Sequence, residues 1–279
     1  MSKDISIAII GSINLDIVAS VKEFPQPGET ITNAVIHRFP GGKGANQALA
    51  AHRLGASVFM VGRVGDDPLA NEALHTLREE GVDLRYCHPL KDTSTGLAMI
   101  VVTEAGENQI VVAPGANAAF DAQHLVVPET DAIIAQLEVP IETILKAARS
   151  SESFFCLNAA PAKPVPHELL EQVDLLVVNE IEAETLGKEL DIYTGLLAIT
   201  YGGEGAVLSH GGQQVAKAKP PKVAVVDTTG AGDAFTAALT VALVSGMEPQ
   251  AALEWACVVG ALTTTKMGAQ SSPPAKDLA

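Results

Sequence analysis

Basic residues are scarce in this chain: 18 Lys and Arg stand against 33 Asp and Glu, a formal net charge of −15 at pH 7. Such a balance repels phosphate backbones and anionic lipid surfaces, and no local run of Lys or Arg offsets it, so neither nucleic acid nor membrane is expected as a partner. Cysteine is also scarce. Cys87, Cys156 and Cys257 lie far apart, form no C-x-x-C pair and are odd in number. This argues against a disulfide framework and for a reducing, cytoplasmic setting. Long apolar runs are missing, none reaching the length of about 18 residues that spans a bilayer. The run at 5–10 follows Lys3 and Asp4, is shorter than a signal-peptide core and has no small-residue cleavage site, so it reads as a first strand. The 7 histidines show no paired metal-ligand spacing. No internal repeat appears, and no low-complexity segment beyond the Ser271-Ser272-Pro273-Pro274 tail.

What is present describes an ordinary globular chain of 279 residues, 47% hydrophobic and 18% charged. Short apolar runs at 5–10, 58–61, 132–137, 154–157, 175–178 and 196–200 alternate with helical patterns. That rhythm predicts a three-layer α/β/α domain around a mostly parallel sheet. Two stretches break it: 17–38, and a hairpin-like pair at 96–103 and 109–113 joined by Glu104-Ala105-Gly106-Glu107. Together they predict a small β-sheet lid, in segments of about 14–40 and 94–116, with one apolar face to be covered by ligand, main domain or second subunit.

The densest chemistry lies in Asp227-Thr228-Thr229-Gly230-Ala231-Gly232-Asp233, which follows an expected strand at 222–226 and opens a helix. Phe235, Ala238, Leu239, Ala242 and Leu243 carry the helical spacing and Gly246 supplies a stop. Glycines at a helix N-terminus let the backbone approach phosphate oxygens, and Asp233 sits beside them. Phosphoryl transfer needs charge stabilisation, in-line positioning and a carboxylate to take the hydroxyl proton. A tight turn with an N-capping aspartate is the plainer alternative.

Phe39-Pro40-Gly41-Gly42-Lys43-Gly44-Ala45-Asn46 opens another helix, which Gly55 ends. It is not a Walker A loop, because Lys43 precedes its glycine and no Ser or Thr follows. Close backbone approach and the Asn46 amide suit a polyhydroxyl ligand; simple helix-start chemistry is the alternative. The first strand ends in Gly11-Ser12-Ile13-Asn14-Leu15-Asp16, where Asn14 and Asp16 share a side if the chain stays extended. Only one glycine of a dinucleotide fingerprint is present there. Asn179 and Glu182, three apart after the run at 175–178, could hold waters around Mg²⁺ or form a capping pattern. Gly202, Gly203 and Gly205 after 196–200 could line an adenine pocket or make a tight connection.

In this order the motifs resemble the ribokinase branch of the PfkB carbohydrate kinases, from Gly11 to about Pro274. The paired signatures at 41–46 and 227–233 carry the similarity, with Pro27-Gly28-Glu29-Thr30, Leu157-Asn158-Ala159-Ala160-Pro161-Ala162 and Gly268-Ala269-Gln270 as connectors. The resemblance implies an ATP-dependent kinase acting on the 5-hydroxyl of D-ribose, with other pentoses, deoxyribose or nucleosides left open. It implies Asn14, Asp16, Gly42, Lys43, Asn46 and Glu138 on the sugar, Asp233 as base, and Gly230, Ala231 and Gly232 as anion hole. It further implies a nucleotide pocket from Asn179, Thr200, Gly202 and Gly203, and Mg²⁺ influenced by Asn179 and Glu182. A monovalent cation, usually K⁺, would sit near Asp227, Thr229, Thr263, Lys266, Gly268 and Ser272, and the lid would pair two subunits into a homodimer.

The chain departs from that pattern in three places. The stretch between Gly187 and Leu196 is short, so that either a helix at 181–187 makes the crossover alone or a segment is missing; Ala256 stands where relatives often carry asparagine; the C-terminal helix is cut short. A non-catalytic sugar or nucleotide sensor is the reading from another class. Retention of Asp233 and its glycines argues against it, since binding alone needs no base.

Overall fold

Along the first strand the side chains alternate between two cores: Ile7 and Ile9 join one, Ala8 and Ile10 the other. All four are inaccessible to solvent, the signature of a strand covered by helices on both faces. The computed structural model describes residues 5–105 and 107–278.

The chain starts with β1 (Ser6–Ile10), passes into β2 (Asn14–Val21) and β3 (Val35–Gly41), and returns through α1 (Lys43–Arg53) to β4 (Ser57–Gly65). Next come α2 (Pro68–Ala73), α3 (His75–Glu80), β5 (Asp83–Leu90), β6 (Gly96–Thr103) and β7 (Asn108–Ala113). A βαβ run then follows: β8 (Ala132–Gln136), α4 (Ile141–Arg149), β9 (Phe154–Asn158), α5 (His167–Leu170) and β10 (Leu175–Asn179). It continues through α6 (Glu180–Leu186), α7 (Glu189–Ile192), β11 (Leu196–Thr200), β12 (Ala206–His210) and β13 (Gln213–Ala218). The last helices are α8 (Ala231–Val244) and α9 (Pro249–Thr263).

Nine strands form the main sheet in the order β13-β12-β11-β10-β9-β8-β1-β4-β5. Pairing is parallel from β5 to β11 and antiparallel at β12 and β13. Leu49, Leu77, Phe235, Leu239 and Leu253 cover one face, and Ile144, Leu169, Leu170 and Leu186 the other. This is the α/β/α sandwich expected from the alternation of runs. A second sheet, β3-β2-β6-β7, stands beside it, in the two segments that broke the rhythm. Gly106, one of the residues expected to join the hairpin-like pair, lies outside the described residues, as do Lys3 and Asp4.

Two expectations need correction. No strand forms at 222–226. Pro220 and Pro221 remove two backbone donors just before it, and the amides of Val226 and Asp227 instead bond the Thr264 carbonyl at the end of α9. Val225 and Val226 remain exposed. The crossover from β10 to β11 is not made by one helix: α6 stops at Gly187, whose φ of 52° breaks the helix, and α7 adds a further turn before Leu196.

The two kinds of apolar site should respond differently. Ile134→Ala, in a fully buried strand position, is expected to lower the urea-unfolding free energy by about 2–5 kcal/mol. Val226→Thr should stay within about 0.5 kcal/mol of wild type; a loss there as large as at Ile134 would contradict the exposed, non-strand path of 222–226.

Candidate active site

Three helices aim their N-termini at one place. Gly42 precedes α1, Gly230 precedes α8 and Asn179 caps α6. Asn179 ends the parallel strand β10, at the edge where open α/β sheets bind ligands, whereas Gly42 follows β3 of the small sheet and Gly230 follows the irregular stretch after β13. Gly42 and Gly230 adopt φ of 90° and 79°, a region that side chains disfavour. A Cβ at Gly42 would lie 2.8 Å from the Asn14 nitrogen and the Ser12 carbonyl oxygen, and one at Gly230 would lie 2.2 Å from the Ala269 carbonyl oxygen. The first-turn N–H groups of α8 have no partner inside the helix, so Gly232, exposed at its start, offers backbone donors at the positive end of the dipole.

Asp233 sits one residue deeper in that turn and is buried. Its Oδ2 accepts from Asn46 Nδ2 at 2.9 Å and its Oδ1 from Gln47 Nε2 at 2.9 Å, both from the first turn of α1. Asp16, Glu138, Glu182 and Lys43 surround it electrostatically. Burial pushes the Asp233 carboxyl up, against the pull of Lys43, Asn46 and Gln47. Burial beside Glu138 and Asp233 raises Asp16 from 3.8 to about 7. For Lys43, burial opposes the ammonium, but the carboxylates of Asp233, Glu138 and Glu182 overrule it and hold the pKa above the ordinary value.

The residues expected on the sugar side lie near one another. Asn14 and Asp16 share the buried side of β2, and Asn14 Oδ1 accepts from Asn117 Nδ2 at 2.8 Å. Glu138 accepts from the Ser12 hydroxyl and from the Lys43 amide. Asn46 Oδ1 is buried without a hydrogen-bond partner among the described residues, an acceptor suited to a hydroxyl donor. Ser12, Gln47 and Asn117 were not anticipated. No spacing rule marks them, because their partners lie far away in sequence.

On the other side of Gly232 lies a cavity of about 630 Å³ lined by Thr200, Gly202, Gly203, Val223, Val225, Thr228, Ala231, Phe235, Cys257 and Ala261, among others. Apolar walls, a polar rim and helix-terminal amides at its floor fit a nucleotide, with a base against the walls and phosphates near α8. Asn179 is not among its lining residues. The capping alternative for Asn179 and Glu182 is the observed one: Asn179 Oδ1 accepts from the Glu182 amide at 2.9 Å and Glu182 Oε2 from the Asn179 amide at 2.8 Å. Burial raises the Glu182 carboxyl despite that bond and Lys43. Among the described residues no group of three or more His, Cys, Asp or Glu could hold a metal ion.

The cation candidates divide. Asp227 Oδ1 accepts from the amide and hydroxyl of Thr229, and Oδ2 from the Gly268 amide at 2.8 Å. Burial works against the Asp227 carboxylate, but these bonds outweigh it and hold its pKa low. Thr263 is buried, and its carbonyl accepts from Ser271. Lys266 is exposed. Ser272 presents its carbonyl and hydroxyl to the Arg53 guanidinium at 2.8 and 3.4 Å, so its acceptors already hold a resident cation. The Asp227 carboxylate and nearby carbonyls fit an oxygen-ligated cation; Ser272 fits poorly.

Comparison with known proteins resolves the class. The family model for pfkB family carbohydrate kinases matches residues 4–276. The chain belongs to that family. It is 40% identical over 286 residues to the ribokinase of Bacillus subtilis, covering 98% of this chain and 97% of that one. The kinase also superposes on Thermotoga maritima ribokinase with a TM-score of 0.90 at 30% identity, covering 98% of both chains. Arabidopsis thaliana ribokinase complexed with ribose and ATP gives 0.88 at 28% identity over 99% of this chain and 98% of that one.

The raised Asp16 sets a stability test. Its folded pKa of about 7 exceeds the unfolded 3.8, so its contribution is intact below the unfolded value and is lost as pH rises through about 7. Asp16→Asn should therefore melt above wild type at about pH 8, with the gap narrowing toward about pH 5. Thermal melts at both pH values check this; a gap that widens on acidification contradicts the buried, proton-retaining Asp16.

Proposed function

We propose that this kinase transfers the γ-phosphoryl group of ATP to the 5-hydroxyl of D-ribose, giving ribose 5-phosphate and ADP. The carrying observation is the place of Asp233: a buried carboxylate between the cluster of Asn14, Asp16, Asn46 and Glu138 on one side and the N-terminus of α8, with its nucleotide-sized cavity, on the other. On this reading Asn14, Asp16, Gly42, Lys43, Asn46 and Glu138 hold the sugar hydroxyls. The 5-oxygen forms its bond to the γ-phosphorus, its proton passes to Asp233, and the bond to the β,γ-bridging oxygen breaks to release ADP. The amides of Gly230, Ala231 and Gly232 face the charge on the equatorial oxygens. Thr200, Gly202 and Gly203 lie against the base, with Asn179 and Glu182 toward the phosphates.

Mg²⁺ bound with the nucleotide would neutralise phosphate charge, and the Asn179–Glu182 end of α6 would be the part of this chain facing its waters. K⁺ is assigned to Asp227, Thr229, Thr263 and Gly268, where it would stiffen the loop behind the anion hole; Lys266 and Ser272 contribute less. Three free cysteines suit a cytoplasmic enzyme. The alternatives of another pentose, deoxyribose, a nucleoside or a non-catalytic binder remain arms of the test.

Release of ADP against a panel of pentoses, hexoses and nucleosides, in K⁺ and in Na⁺, tests the function, with ribose expected as the best acceptor. Binding of ribose without ADP release would refute the kinase. Asp233→Asn is expected to lower kcat at least ~10²-fold; undiminished activity would remove Asp233 as base.

The lid exposes Val35, Ile36, Met99, Ile110, Val111 and Val112, an apolar set that a second subunit would cover. Sedimentation should show a homodimer that Ile110→Lys with Val112→Glu converts to monomer. A wild-type monomer at micromolar concentration would exclude the lid as a stable clasp.

A further inference from the structure

The amide that touches Asp233 from behind belongs to a chain of buried carboxamides. Gln47 and Gln136 are fully buried and Asn158 nearly so. Gln47 Nε2 donates to Asp233 Oδ1 at 2.9 Å and to Asn158 Oδ1 at 3.1 Å. Gln47 Oε1 accepts from Gln136 Nε2 at 2.7 Å. Asn158 is itself oriented by donating Nδ2 to the Val177 carbonyl at 3.2 Å. We propose that Gln47 and Gln136 are positioning residues for the base, Gln47 by anchoring one oxygen of Asp233 and Gln136 by fixing which way the Gln47 amide faces. This rests on the kinase reading above.

Only one orientation of Gln47 is consistent with its neighbours. Turned end for end, its oxygen would face the oxygens of Asp233 and Asn158, and its NH₂ would face the NH₂ of Gln136. Gln136 supplies the decisive donor. It ends β8 after Ala132, Ile133, Ile134 and Ala135, all buried and apolar, in register with Asn158 of β9. An apolar residue would suit that position better by packing alone, since Gln136 Oε1 is buried with no partner and such an atom is costly. The neighbouring strand makes room for it: a Cβ on Gly11 would lie 2.0 Å from Gln136 Oε1. A polar side chain kept under that penalty, with its amide hydrogen spent on Gln47, fits a role in orienting the base.

The arrangement divides the two oxygens of Asp233. Oδ1 is tied inward to the buried amide, while Oδ2 shares Asn46 at the sugar side, leaving a lone pair there for the hydroxyl proton. Hydrogen bonds to a carboxylate favour its charged form. The charged groups facing Asp233 are Lys43 from α1, Asp16 from β2, Glu138 after β8 and Glu182 from α6. Lys43 favours ionisation and the three carboxylates oppose it, so loss of the Gln47 donor leaves Asp233 protonated to higher pH.

The test is steady-state kinetics of Gln47→Met and Gln136→Met with ribose and ATP across pH, beside thermal melts. Gln47→Met is expected to lose about 10–100-fold in kcat, the scale of a hydrogen bond to a charged group, with the ribose KM within about twofold. The acid limb of its kcat profile should move up by about one pH unit. Gln136→Met should move the limb in the same direction by less. A folded Gln47→Met with the acid limb of wild type overturns the proposal. If Gln47→Met does not fold, Gln136→Met decides, and an unmoved limb there overturns it. Wild type that releases no ADP with any sugar overturns the kinase reading and the relay with it; an active wild type with indifferent variants overturns the relay alone.

Discussion

A carboxylate that takes a proton from a sugar hydroxyl has to be shielded from water and still be available in its charged form. On the proposed reading Asp233 is that carboxylate, and it lies inside a cluster of like charge. Asp16, Glu138 and Glu182 all raise the cost of its ionisation or share in it, and Lys43 is the ammonium that Asp233, Glu138 and Glu182 have in common. The balance holds because two amides from one helical turn, Asn46 and Gln47, bond its two oxygens. Pairing by Coulomb attraction alone would not suffice for a buried ion. Directed hydrogen bonds supply the difference.

That requirement explains why α1 and α8 must start where they do. Gly42 and Gly230 take backbone angles that other residues adopt at a cost, and each lies too close to neighbouring backbone for a side chain. Shift either helix by one residue and Asn46 no longer meets Asp233. The parallel sheet beneath provides rigidity, with strands from β1 to β11 buried on both faces. Loops at the strand ends then carry chemistry on a framework that does not give.

Stability is set aside in the site. Asp16 stays protonated to about pH 7, and Asn46 Oδ1 and Gln136 Oε1 are buried without partners. Each is unfavourable for folding, and each clusters around Asp233. Conflicts between folding and local preference gather where function is built. The small sheet repeats the pattern, with β7 exposed along its whole length.

Much was legible in order along the chain. The apolar runs marked the strands, because a strand buried on both faces must be apolar throughout, and the glycines beside Lys43 and Asp233 marked where two helices start. Proline and pairing defeated the expected strand at 222–226, since an apolar segment becomes a strand only if a neighbour accepts its hydrogen bonds. The family pattern named Asp233, Asn14 and Asp16. What the amino-acid sequence determined by itself was the class of fold, the family and the starts of the helices that follow Gly42 and Gly230. Only tertiary structure decided that Asn179 and Glu182 spend their side chains on a cap, that Arg53 holds Ser272, and that Gln47 and Gln136 stand behind Asp233. Those contacts join residues distant in sequence, and hydrogen bonds between such residues depend on distance and direction, which spacing along a chain does not encode.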